Sequence, residues 1–350
     1  MAESKKEKKQ VPIVRLITPD YKTYVNSNKW YSYDYCSMFI IYGGRGVGKT
    51  TSLAFHVVDN FVNKGEEFVY VRRYKTELKK AQGMLNPLYS GITIQGIGQG
   101  GFQWTNNGVR LGYGLALTAE QTFKSGVDFS KVTTLIFDEF TILRGGTYRY
   151  LDEEVKHFLE LISTVFRTRT NYKIFLLGNN LDAFNPYSEY FNIPVFDEKY
   201  IDKERGLYCE FLKHNPNLLK KEQETPLYKL TKGTEYGDYH YENKVLVTKT
   251  GTIGVKDPNA KLLCRLVVNR VTLNIYRQNV DTMFVEFRDK VIKDDWSYII
   301  LENTKPNYLY VGMYRTSNVC KFIDICYFND MVLYSCDRAI SVFETFMEAV

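Results

Sequence analysis

The residues best suited to chemistry stand together at 43–51. Gly43, Gly44, Arg45, Gly46, Val47, Gly48, Lys49 and Thr50 fit the pattern GxxxxGK[ST], and Thr51 follows. Glycines in this pattern let backbone N–H groups close around a β-phosphate at a helix N-terminus, where unpaired donors and the helix dipole favour negative charge. Lys49 adds a point charge for the β and γ oxygens. The Thr50 hydroxyl suits Mg²⁺, a hard cation that prefers oxygen, so a second protein oxygen is expected at the end of another strand. Asp138 meets that need, closing the apolar run Thr133–Phe137.

Glu139 follows directly and separates reaction classes. A carboxylate beside a metal-holding aspartate can polarise a water for in-line attack on a γ-phosphate, which a hydrolysing ATPase needs and a phosphate-transferring kinase avoids. An acid pair after a strand also fits a helix cap or a turn. A GTPase would need NKxD; the nearest string is Asn179-Asn180-Leu181-Asp182, without the lysine. Asn179, at the end of the run KIFLLG, is either a sensor for the γ-phosphate and its attacking water or an ordinary turn residue. Arg167 and Arg169 close a long helical pattern. Either they complement its dipole, or one is an arginine finger offered to a neighbouring subunit. Arg72 and Arg73 end EFVYVRRY, with Lys75, Lys79 and Lys80 beyond. These fit a nucleotide lid with a polyanion-gripping loop, or a solvated strand end.

Such groups need a scaffold, and the pattern supplies one. From residue 37 a strand (SMFIIY), the glycine loop, an amphipathic segment (TTSLAFHVVDNFVNKG) and a second strand (EFVYVRRY) make a βαβ unit. A hairpin signal follows (FQWT-NNG-VRLGYGLAL), then VTTLIF, the helical stretch YLDEEVKHFLELISTVFRTR and KIFLLG. Continuous apolar strands of this sort predict a mainly parallel sheet covered on both faces. Residues 26–197 are thus expected to form one α/β domain. Residues 1–25 are expected to be a basic, disordered tail: the run after MAESKKEKKQ is short and interrupted by Arg15, unlike a signal peptide. The charge-dense stretch 198–229 reads as a linker, and 230–350 as a second domain. That domain has strand-like runs KVLVTK, LLCRLVV, VTLNIYR, TMFVEF and YLYVGMY and a closing helix RAISVFETFMEAV.

The 350 residues suffice for two cores. Residues 1–196 hold 24 basic and 18 acidic groups and the remainder is balanced, so the net +6 sits in the first part, an excess that fits either a polyanion partner or a merely solvated lysine-rich surface. No run of 18 apolar residues predicts a membrane span. The six cysteines show neither CxxC nor zinc spacing, pointing to a reducing cytosol.

The loop GGRGVGKT, the stretch EEFVYVRRYKTEL, FKS ahead of VTTLIFDEF, the helix end TVFRTR, LGNN followed by FNPY, and KGTEYGD together resemble the DNA-packaging ATPases of the phi29-like bacteriophages. The resemblance covers most of the chain. It implies a P-loop NTPase sheet of the additional-strand (ASCE) type, a helical linker and a smaller α+β domain resembling an RNase H-like nuclease without its activity. It implies ATP hydrolysis with Mg²⁺, coupled to translocation of double-stranded DNA into a preformed capsid by a homomeric, pentameric ring at the portal vertex. It also implies the Walker lysine at Lys49, Walker B acids at Asp138 and Glu139, a trans finger at Arg167, a sensor at Asn179, a lid arginine at Arg72 and a coupling residue at Lys124. The implied partners are DNA, the portal connector and a scaffold RNA, in the cytoplasm of the infected host and transiently on the procapsid, not in the mature virion. A cleaving C-terminal domain would need acids on its first strand, and LLCRLVVNRVTLNIYRQN has none. Asp281, Glu286, Asp289 and Asp324 are scattered. The other reading is an ATP-dependent assembly switch that binds nucleotide without moving DNA; Glu139 and Arg167 are what a switch has no use for.

Overall fold

A computed structural model describes residues 11–98, 100–124, 126–142, 149–179, 185–193, 198–234, 237, 241, 251–268, 271–288, 290, 292, 297–300 and 317–349. The chain divides into two compact units, residues 1–246 and 247–350. In the first, the strands are β1 (Val14–Arg15), β2 (Met38–Gly43), β3 (Glu67–Arg72), β4 (Tyr89–Ser90), β5 (Thr93–Gly98), β6 (Gly101–Asn106), β7 (Val109–Ala116), β8 (Val132–Asp138), β9 (Lys173–Gly178), β10 (Lys199–Asp202) and β11 (Leu207–Leu212). Nine of them form one sheet in the order β10-β11-β2-β9-β8-β3-β7-β6-β5. Pairing is parallel from β11 through β7 and antiparallel at both margins. The parallel strands are buried on both faces, as their unbroken apolar runs require: Phe39, Ile40 and Ile41 in β2, Leu135, Ile136 and Phe137 in β8, Phe175, Leu176 and Leu177 in β9. Because β9 lies between β2 and β8, the glycine loop and Asp138 leave the same edge of the sheet one strand apart.

The helices are α1 (Asn28–Tyr31), α2 (Lys49–Lys64), α3 (Lys75–Ala81), α4 (Glu154–Phe166), α5 (Pro186–Tyr190), α6 (Pro216–Gln223) and α7 (Pro226–Thr231). α2 buries Leu53, Ala54, Val57 and Val58, a stripe of helical spacing, and α4 buries Val155, Phe158, Leu161 and Val165. The β6–β7 turn is Asn107-Gly108, both at positive φ (51° and 82°), the hairpin geometry that matches strand twist.

Two expected boundaries are corrected. Residues 11–25 are not a disordered tail. β1 pairs antiparallel with β4, Leu16 N–H donates to Leu88 O (2.8 Å), and the Arg15 guanidinium pairs with Asp59 and packs over Phe55. These partners lie far along the chain, where no local pattern reveals them. The stretch 198–229 likewise is not all linker. β11 pairs in parallel with β2, from Leu207 opposite Met38 to Leu212 opposite Gly43, and so covers the strand edge beside the glycine loop. Only α6 and α7 remain of the expected connector. Residues 1–10 and the strand-like runs at 244–249 and 308–314 lie outside the described residues.

The second unit has β12 (Thr252–Ile253), β13 (Lys261–Val268), β14 (Val271–Arg277), β15 (Met283–Arg288), β16 (Ser297–Ile300) and β17 (Val332–Tyr334), in the order β12-β17-β15-β14-β13-β16. β13, β14 and β15 form an antiparallel meander, with β16 parallel to β13 and β17 parallel to β15. Helices α8 (Asn318–Phe328) and α9 (Asp337–Ala349) contribute Ile323, Ala339 and Phe343 to a core with Leu266, Leu273 and Ile275.

Candidate nucleotide-binding site

The glycine loop turns the chain from β2 into α2. Gly48 caps the helix at φ 90°, a conformation other residues adopt at a cost, and a Cβ there would stand 2.9 Å from Tyr24 Cβ. The Lys49 ammonium, 8% exposed, donates to the carbonyls of Gly43 (2.7 Å) and Gly44 (3.0 Å). Burial lowers its pKa to about 8, against the pull of Asp138 and Glu139. Thr50 Oγ1 donates to Asp138 Oδ2 at 3.0 Å, and Tyr70 OH donates to the same oxygen at 2.7 Å. Thr50 and Asp138 thus present two hard oxygens from facing elements, a donor set that fits Mg²⁺. A cavity of about 690 Å³ opens over the loop; Lys49, Thr50, Asp138, Glu139 and Asn179 all line it.

The two acids are held differently. Asp138 accepts from Glu139 N–H (3.1 Å) as well as from Thr50 and Tyr70. The Glu139 side chain is 54% exposed and pairs with Arg72. Arg72 also lies 3.6 Å from Asp138 and 3.8 Å from Glu77, and is not among the residues that line the cavity. Burial works against its charge, but Tyr70, Asp138, Glu139 and Glu77 outweigh it and raise its pKa. Glu139 has φ 57°, a left-handed conformation that costs a non-glycine residue about 1–2 kcal/mol. Six non-glycine residues among those described have positive φ, and Glu139, Glu153 and Arg167 are three of them; the latter two are the cap positions of α4.

The structure separates the paired arginines. Arg169 donates to the carbonyls of Ser130 (2.9 Å), Val132 (2.6 Å), Phe129 (2.9 Å) and Val165 (2.6 Å), tying the end of α4 to the entry of β8. Arg167 is exposed and its side chain has no hydrogen bond or ion pair among the described residues. Arg169, not Arg167, is the one that bonds the last carbonyls of α4. Asn179 exchanges backbone and hydroxyl hydrogen bonds with Thr141 (3.0 and 3.1 Å) at the cavity wall. Lys124 pairs with Glu160 of α4 at 3.2 Å, both exposed, outside the cavity. Lys75, Lys79 and Lys80 are exposed along α3, also outside it. The Lys75 stem crosses Gly100 so closely that a Cβ there would fall 2.5 Å from Lys75 Cε.

Three features escaped the sequence reading. Ile17, Pro19, Tyr21, Tyr24 and Val25, with Phe55 of α2, form the apolar half of the cavity, suited to the flat face of a base. This segment is pinned by Val25 N–H to Val47 O (3.0 Å), Asn217 to Lys22 O (3.0 Å) and Lys221 to Asp20 (3.3 Å). Glu222, on the same helix as Asn217 and Lys221, stands 3.9 Å from where a Gly46 Cβ would be, and burial pushes its pKa up to about 7. Arg73 is buried rather than solvated, against the usual behaviour of arginine.

A glycine loop between a buried strand and a helix, facing an acid pair one strand away in a parallel sheet, defines the P-loop class of folds. Residues 19–344 match the family model of the podovirus DNA encapsidation protein (Gp16), and the chain belongs to that family. It is similar to the DNA packaging protein of Bacillus phage B103, 32% identical over 72% of this chain and 76% of that one. It is similar also to the DNA packaging protein of Bacillus phage phi29, 30% identical over 73% and 76%. Among solved structures it resembles a chain of the bacteriophage phi29 viral genome packaging motor assembly, with a TM-score of 0.66, 24% identity and coverage of 93% of this chain and 99% of that one.

Proposed function

We propose that this chain is an ATP-hydrolysing motor that moves double-stranded viral DNA into a preformed capsid, working as a homomeric, pentameric ring at the portal vertex in the infected cell. The observation that carries the reading is the convergence of Lys49, Thr50, Asp138 and Glu139 on one cavity. Lys49 and the loop N–H groups bind the phosphates; Thr50 and Asp138 hold Mg²⁺, which supplies charge neutralisation on the β and γ oxygens. Glu139 orients the attacking water, and Asn179 reaches the same wall as a sensor. Arg167, exposed and unengaged, suits a finger offered to a neighbouring chain's ATP.

DNA contact is assigned to Lys75, Lys79 and Lys80, since a motor must grip any sequence through phosphates. In the second unit the order β15-β14-β13-β16 supports an RNase H-like domain. Arg265, Asn274 and Glu286 face one another across its central strands, so the middle of the sheet carries a single acid at this level, in keeping with a proposed domain without cleavage. A portal connector and a scaffold RNA complete the proposed partners, and Lys124 keeps its proposed role in coupling.

Turnover with Mg²⁺, measured with and without double-stranded DNA, tests the reading. DNA should raise turnover, and Lys75→Ala should blunt that rise and lower the salt slope of DNA binding by about one. Nucleotide binding without DNA-stimulated turnover would instead establish the assembly switch.

A further inference from the structure

Arg73 ends the run that begins with β3 and is 1% exposed. A buried guanidinium must have its donors matched, and this one is matched by two separate segments. Nε and Nη2 donate to the two carboxylate oxygens of Glu154 at the start of α4 (2.6 and 2.8 Å). Nη1 donates to Glu139 O (3.2 Å) and Nη2 to Phe140 O (2.6 Å). Glu154 is completed in turn by Tyr187 OH (2.8 Å) and Leu151 N–H (2.9 Å). Burial opposes the charge on Arg73, but Glu154 more than offsets it.

A buried ion pair is weak evidence for stability, because apolar side chains of similar volume serve as well or better. What this one supplies is geometry. The planar fork fixes two carboxylate oxygens and two consecutive main-chain carbonyls in one frame. Those carbonyls belong to the residue held at φ 57° and to its successor, so the fork grips the peptide units where the chain turns. The turn leaves Glu139 on the cavity wall and Phe140 fully buried. Neither Arg73 nor Glu154 lines the cavity.

We propose that Arg73 and Glu154 are a positioning pair for the hydrolytic centre: they hold the Glu139–Phe140 backbone in its left-handed turn and so aim the Glu139 carboxylate at the attacking water. This rests on Glu139 being the water-orienting base. Water orientation in a displacement is sensitive to sub-ångström displacement, so loosening the frame lowers the chemical step while leaving nucleotide binding to the loop intact.

The test is Arg73→Lys in the full chain, which keeps a buried cation and removes the fork. Affinity for Mg²⁺-ATP within about twofold of wild type and a kcat at least tenfold lower are expected, normalised to sites titrated with nucleotide so that lost folded protein does not count. Tyr187→Phe, which removes one hydrogen bond to Glu154, should lower kcat about threefold with unchanged affinity, and decides the matter if Arg73→Lys does not fold. Wild-type kcat in whichever of these folds overturns the pair. Glu139→Gln is assayed alongside: wild-type turnover there overturns the base assignment, whereas a slow Glu139→Gln beside a fast Arg73→Lys overturns the positioning pair alone.

Discussion

Glu286 on β15 and Glu139 in the turn after β8 are both carboxylates carried by a sheet, one in each unit. Glu286 accepts from Asn274 Nδ2 (3.0 Å), Tyr276 OH (3.0 Å) and Arg288 Nη2 (2.7 Å). Burial alone would raise its pKa; hydrogen bonds from Asn274 and Tyr276, with the Arg288 charge, bring it below the ordinary value. Both its oxygens are occupied by fixed donors. Glu139 has Arg72 on one oxygen and open cavity on the other side. A carboxylate with spare lone pairs at a cavity can orient water, whereas one surrounded by donors holds its neighbours in place. Arg169 and Arg167 repeat the contrast two residues apart: one guanidinium is spread over five carbonyls, the other is unengaged.

The arginines give the sharpest way to break this comparison. Arg167→Ala should lower turnover of assembled rings by about 10³-fold or more while changing stability by no more than about 0.5 kcal/mol. Arg169→Ala should instead cost about 1–2 kcal/mol in denaturant unfolding, because several part-buried carbonyls lose their donor, with little effect on turnover. Mixed rings of Arg167→Ala and Lys49→Ala chains should regain turnover at interfaces pairing an intact loop with an intact finger; verified mixed rings without recovery would return Arg167 to a role within its own chain.

The carboxylates come next. Glu139→Gln should bind ATP and hydrolyse it about 10²–10⁴-fold more slowly, whereas Glu286→Gln should leave turnover within about twofold. Equal effects in steady-state assays would dissolve the distinction between the two units.

The smallest effect is in pH. Lys49 has a folded pKa of about 8, below its ordinary 10.5, so between those values the unfolded chain binds more protons. The cost of burying the ammonium is therefore full below pH 8 and relieved as pH rises through the window. Phosphate needs the ammonium, so ATP affinity should weaken above pH 8 by up to about tenfold per pH unit. Lys49→Ala should show weak affinity and no such slope, and a persisting slope would assign the titration elsewhere.

Much of the first unit was legible because its chemistry is local. The loop at 43–50, the buried runs that became β2, β8 and β9, and the Asn107-Gly108 hairpin carry their signals within a few residues. The illegible parts depend on distant partners. Residues 17–25 have no periodicity of their own and become a cavity wall only through Val47, Asn217 and Lys221. β11 reads as part of a charged stretch until β2 offers it a parallel edge. Arg73 is adjacent to Arg72 and chemically identical, yet one faces the acids and the other is enclosed by Glu154; residue type alone cannot separate them.

Helix α4 has a consequence for timing. Its 13 residues span about 20 Å as one rigid body. One end is fastened through Glu154 and Arg73 to the backbone of Glu139, and the other ends at Arg167, which stands at positive φ. Under the motor reading, the first end serves the chain's own ATP and the second serves its neighbour's. On that reading a change in tilt at the first end reaches the second through the helix itself, with no loop between Glu154 and Phe166. Under that reading the coupling runs both ways: a neighbour's ATP that draws on Arg167 also biases the tilt felt at Glu139.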